Sequence, residues 1–89
     1  MWPKHKCGMY LTHNQHRDSY QTVEQALAEE NYYDDSDWVS PEQRARAIET
    51  DEVWALQWYP QTPIGSYSML AADLDVLLQA ARDVEKQDG

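Results

Sequence analysis

The chain has 89 residues, of which 42% are hydrophobic, and 16 acids against seven Lys or Arg give it a formal net charge of −9. At this length it is one domain near the lower limit of what folds alone, burying only about 60–65% of its unfolded surface. The hydrophobic fraction excludes wholesale disorder, no apolar run approaches the ~20 residues that span a bilayer, and so acidic a surface repels nucleic acid and anionic lipid.

The charge is unevenly placed. Residues 1–17 contain Lys4, Lys6, Arg17 and all three histidines but no acid, whereas everything after them carries 16 acids and four bases. Ten of those acids, Glu24 to Glu52, fall within 29 residues that hold only Arg44 and Arg46 as counterweights. Such a patch draws in basic partner surfaces. Cys7 is the single cysteine, so no internal disulfide forms. With no apolar stretch in Met1 to Lys6, the expected setting is the reducing cytoplasm.

In chain order, Gly8 to Thr12 reads as a strand, followed by a polar turn at Asn14 and a short return through Ser19-Tyr20-Gln21. Thr22-Val23-Glu24-Gln25 has a capping residue and a glutamine three positions on, which predicts a helix with Val23, Ala26 and Leu27 inward. Asn31 to Val39 reads as a loop or a single turn. Ser40-Pro41-Glu42-Gln43 places a capping serine, a proline at the first helical position and a glutamine suited to a capping box. That helix is expected to reach about Thr50, with Ala45 and Ile48 as its apolar face.

Val53 to Tyr59 alternates and sets Trp54, Leu56 and Trp58 on one face of a strand. Pro60 to Gly65 supplies two prolines and a glycine for a six-residue loop, and Ser66 to Leu70 alternates again with Tyr67 and Met69 together. Leu74, Leu77, Leu78, Ala81 and Val84 then follow at helical spacing, behind Asp73 and Asp75 where negative charge favours a helix start. The fold class is therefore α+β: a small antiparallel sheet of two to four strands, covered on one face by the C-terminal helix, with two shorter helices. The expected core is Trp54, Leu56, Trp58, Tyr67, Met69, Leu74, Leu77, Leu78 and Ala81.

Chemistry-bearing groups are sparse. His5, Cys7, His13 and His16 are four potential zinc ligands within twelve residues, but their spacing matches no common finger pattern. Cys7 has no predicted oxyanion hole beside it, and the plentiful carboxylates read as solvated surface groups, so no enzyme and no cofactor are expected. The strongest candidate surface is Glu29, Glu30, Tyr32, Tyr33, Asp34, Asp35, Asp37 and Trp38. It sets five carboxylates beside rings able to stack on guanidinium groups. The bland alternative is a hydrated loop whose Tyr32, Tyr33 and Trp38 close the core.

The stretch Glu52 to Gly65, a Trp-rich strand running into a Gln-Thr-Pro-Ile-Gly turn before a helix, resembles small acidic proteins of bacteria and their phages. The likeness covers roughly residues 38–80 and brings no catalytic residues. It implies a phage or mobile-element setting, in which short acidic proteins bind host machinery.

Three functions follow as expectations. The first is a non-enzymatic interaction protein, possibly a DNA mimic, that inhibits or modulates a host protein with a basic nucleic-acid-binding surface, such as a nuclease or CRISPR-type defence complex. It would bind neither nucleic acid nor membrane itself. The second is a regulatory homodimer through the hairpin edge or tryptophan face. The third is a metal-binding switch built on Cys7 and the histidines.

Overall fold

The computed structural model describes residues 7–29, 32–59 and 67–88. Three strands, β1 (Cys7–His13), β2 (Trp54–Tyr59) and β3 (Tyr67–Ala71), form one antiparallel sheet in the order β1-β2-β3. Three helices accompany it: α1 (Val23–Ala28), α2 (Pro41–Thr50) and α3 (Leu74–Asp88). The architecture is α+β, as expected, and among the described residues no helix is long and apolar enough to cross a membrane.

The C-terminal β-β-α unit is placed as its sequence predicts. Trp54 pairs with Ala71, Leu56 with Met69 and Trp58 with Tyr67 across the hairpin. The connecting loop at 60–66 and the side chains of Trp58 and Tyr67 lie outside the described residues. α3 packs on this face, where Leu56, Ala71, Leu77 and Ala81 are buried and Trp54, Met69, Leu74 and Val84 close around them. Leu78 is only half-buried.

The sheet is covered on both faces rather than one. Because side chains alternate along a strand, Val53, Ala55, Leu70 and Ala72 point away from α3. There they meet Val23 of α1, Ala47 of α2 and Trp38, with Leu27, Tyr33 and Ile48 packed alongside. Residues 53–56 are apolar at every position, which marks a strand segment buried on both sides. The two shorter helices thus form a second layer. On α2, Ala47 and Ile48 face the sheet, and Ala45 is exposed instead of inward.

The predicted return strand at Ser19 to Gln21 is absent; β1 pairs with β2. Asn14 takes a left-handed conformation at φ 55° and closes the ladder with two bonds. Its backbone N–H donates to Val53 O at 2.8 Å, and its side-chain oxygen accepts from Val53 N at 2.9 Å. Chain direction then changes in a 3-10 turn, Gln15–Asp18, whose His16 carbonyl accepts from both Ser19 and Tyr20. With those amides engaged in the turn, β1 has no second strand partner among the described residues.

Both predicted N-caps form: Thr22 accepts from Gln25 N and Ser40 from Gln43 N. The side chain of Gln43, however, leaves the capping box. Its oxygen accepts from Ala72 N and Asp73 N, both at 2.9 Å, and its amide donates to Asp73. The first turn of α2 is therefore tied through Gln43 to the corner where β3 enters α3.

Candidate partner-binding site

Local structure divides the acidic aromatic segment into an inner and an outer part. After α1 ends at the exposed Glu29, the chain resumes beyond the undescribed Glu30 with Tyr32 and Tyr33, both half-buried. Tyr32 meets Tyr20 and Tyr33 edge-on at centroid distances of 4.9 and 4.7 Å. Tyr33 sits between His16 at 6.3 Å and Trp38 at 6.1 Å. Its hydroxyl is buried beside the His16 backbone without a well-formed hydrogen bond, and burial, reinforced by Tyr32, pushes it up to about 12. Trp38 is 8% exposed and belongs to the core. It makes a single parallel bridge to Leu70, and Val39 N donates to Leu70 O at 3.0 Å, covering the far side of β3. Trp38 is therefore no surface ring, and of the expected stacking residues only Tyr32 and Tyr33 keep access to solvent.

The acids stay outside, but two of them are locally engaged. Asp34 caps the 3-10 turn Asp35–Asp37, accepting from the backbone and hydroxyl of Ser36 at 2.9 Å each. Those two bonds hold its carboxyl below the usual range. Asp35 receives Arg44 at 3.0 Å. Asp37 differs: it is half-buried, and burial, with Asp34 adding repulsion, pushes its carboxyl upward.

A groove of about 470 Å³ opens between this segment and the sheet. Tyr32, Tyr33 and Asp37 line it from the loop, and Tyr10, Thr12, Gln57 and Ser68 from the strands. It occupies the part of the second face that α1 and α2 leave uncovered. The strand residues escape a motif search because they lie in three separate segments. Their signal is the alternation itself: polar Thr12, Gln57 and Ser68 occur at positions in phase with the partly buried Ala55 and the buried Leu70, where a fully covered face would be apolar.

The sequence also conceals a junction at Asp51. This residue ends α2 in a left-handed conformation, φ 59°. One carboxylate oxygen accepts from Val23 N at 2.8 Å and the other from Arg17 at 3.0 Å, while Arg17 also donates to the Asp51 carbonyl at 2.9 Å. The Val23 amide, then Arg17, hold the carboxyl below its ordinary value. His16 lies 3.7 Å from the same carboxylate with no solvent-exposed surface and with both ring nitrogens unpartnered. Burial lowers its pKa, Asp51 opposes that shift and Arg17 adds to it.

The His13/His16 pair does not converge. His13 stacks on its cross-strand neighbour Trp54 at 4.0 Å and meets Glu52 at 3.1 Å, whereas His16 points inward. His5 and the Cys7 side chain lie outside the described residues. Among the described residues, no three His, Cys, Asp or Glu side chains gather as a metal site would require.

Every arginine near the acidic half is internally committed: Arg17 to Asp51, Arg44 to Asp35 and Arg46 to Asp73 at 2.9 Å. Glu24, Glu29, Glu42 and Glu49 are exposed on and beside α1 and α2, and among the described residues no cation lies within ion-pair distance of them. No protein-family model matches the sequence, and neither a curated protein nor a solved structure matches it.

Proposed function

We propose that this is a non-enzymatic acidic interaction protein that occupies a basic, nucleic-acid-binding surface on another protein and so inhibits or modulates it. The observation that carries the reading is the commitment of Arg17, Arg44 and Arg46 to internal partners while the carboxylates of α1 and α2 remain outward and, among the described residues, uncompensated. Duplex DNA presents one charge per ~1.7 Å of axis, and proteins that hold it answer with closely spaced Lys and Arg. A rigid layer of outward acids competes for the same residues. The proposed target is a protein of host defence or DNA handling, the setting that the resemblance read from Glu52 to Gly65 would imply.

The test is capture from bacterial lysate at low salt, followed by challenge with duplex DNA. The reading expects nucleic-acid-handling proteins to be retained, released by salt and displaced by DNA. Retained proteins that DNA fails to displace would contradict it.

A homodimer is the second reading, supported by β1. Among the described residues this strand pairs on one side only, and Tyr10 and Leu11 on it are 61% and 47% exposed. An open edge with exposed apolar side chains is a template for strand pairing. Sedimentation at micromolar concentration separates the readings: a monomer removes the second.

A further inference from the structure

We propose that the groove between β1–β3 and the Tyr32–Asp37 segment is a socket for a single arginine side chain of the partner, with Asp37 facing the guanidinium and tyrosine rings flanking it. This deepens the proposed function and rests on it for the kind of partner, though the socket is testable alone.

Asp37 is the starting point. It lines the groove half-buried, and among the described residues no cation or hydrogen-bond donor reaches its carboxylate; the nearby Arg44 is held by Asp35. Burial and Asp34 both push its proton affinity up, the behaviour of a carboxylate that lacks a counter-charge. Taking such a group from water is unfavourable until an ion pair or a proton neutralises it. The groove thus favours a cation and disfavours phosphates, carboxylates and nucleic acid.

Its other walls narrow the choice. Tyr10, Tyr32 and Tyr33 line it with aromatic rings, whose quadrupoles attract a cation placed over them. Thr12, Gln57 and Ser68 add neutral oxygens around the same space. A lysine ammonium has three donors clustered at a point, whereas a guanidinium spreads five in a plane that also stacks on rings. Several dispersed acceptors beside flat aromatic walls suit the second. Ala55 and Leu70 give the aliphatic stem an apolar bed. The volume, about 470 Å³, lies within the ~300–1,000 Å³ of small-molecule sites.

The experiment uses the full 15N-labelled chain and three neutral-ended peptides: acetyl-Gly-Arg-Gly-amide and its Lys and citrulline counterparts. At ~0.15 M salt, where screening acts beyond ~8 Å, amide shifts are followed to saturation. The Arg peptide is expected to move Thr12, Tyr32, Asp37 and Ser68. The Lys peptide should bind more weakly, and the uncharged citrulline peptide at least about tenfold more weakly. Asp37→Asn should bring Arg binding down to the citrulline level, and Tyr10→Ala, which removes an exposed ring, should weaken it with the spectrum otherwise intact. Glu24→Gln with Glu49→Gln should change nothing. Equal binding of Arg and Lys peptides, shifts confined to α1 and α2, or an Asp37→Asn variant of unchanged affinity would each overturn the socket. The two proposals fail separately. Arg-peptide binding without DNA-displaceable partners removes the DNA-mimic reading alone. A DNA-displaceable partner whose affinity ignores Asp37→Asn removes the socket alone.

Discussion

Asp51 joins the end of α2, the amide of Val23 and the Arg17 guanidinium through one carboxylate. Replacing it with Ala leaves the part-buried Val23 N–H without an acceptor, a loss of about 1–3 kcal/mol, whereas Asp51→Asn keeps that bond and should lose less. Chemical denaturation of both variants checks the order. Next to it, His16 makes stability depend on pH. Its folded pKa lies below the ordinary 6.5, so the unfolded chain binds the proton more readily. Stability is then full above about 6.5 and declines as pH falls through the window between the unfolded and folded values. Asp51 faces the ring from α2 and Arg17 from its own turn; the lowered Asp51 pKa makes its own contribution a separate loss, which sets in as pH falls through the ordinary 3.8 toward the lower folded value. Thermal melts between pH 7 and 5 should therefore fall for the wild type and flatten for His16→Leu. An undiminished decline in that variant would place the titrating group elsewhere. Asp37 carries the opposite sign: its raised pKa means that ionisation opposes folding, so Asp37→Asn should be neutral or stabilising at pH 7.

Among the elements, α2 is held by more than its apolar face, because Gln43 satisfies two amides at the start of α3. Gln43→Ala exposes both part-buried donors and should lower stability by about 1–3 kcal/mol, visible as a reduced urea midpoint with unchanged slope. Leu56→Ala, at a position with no solvent exposure, should cost about 2–5 kcal/mol and threaten the fold of so small a chain. The hairpin, α3 and both capped helices are legible in the sequence because their signals are local: alternation, helical spacing, and Thr22 and Ser40 at helix starts. The second layer is not, because its cues are long-range. Ala47 replaces Ala45 as the inward residue only once the azimuth of α2 is set by β3. Gln43 reads as a capping-box residue until the α3 corner arrives beside it. Likewise β1 found its partner 40 residues away, which no turn signal near Asn14 encodes. Of the candidate site, the acids and Tyr32 and Tyr33 are visible as a run, Trp38 takes the alternative of closing the core, and the strand side of the groove needs the register.

On the scale of the whole molecule, the fold sorts charge by direction. Arg17, Arg44 and Arg46 pair with Asp51, Asp35 and Asp73 within the structure, and the helical layer presents Glu24, Glu29, Glu42 and Glu49 outward. Exposed carboxylates contribute little to stability, and crowded ones repel, so converting these four to Gln should leave the fold intact. Their removal should act on encounter, since long-range attraction governs association rates more than residence times. The most direct measurement is the association rate of the chain with a captured, DNA-displaceable partner as a function of salt, for the wild type and the four-Gln variant. Steering by this face predicts a wild-type rate that falls steeply with salt and a variant that is slower at low salt with a flatter dependence. Identical rates and slopes for the two proteins would contradict it.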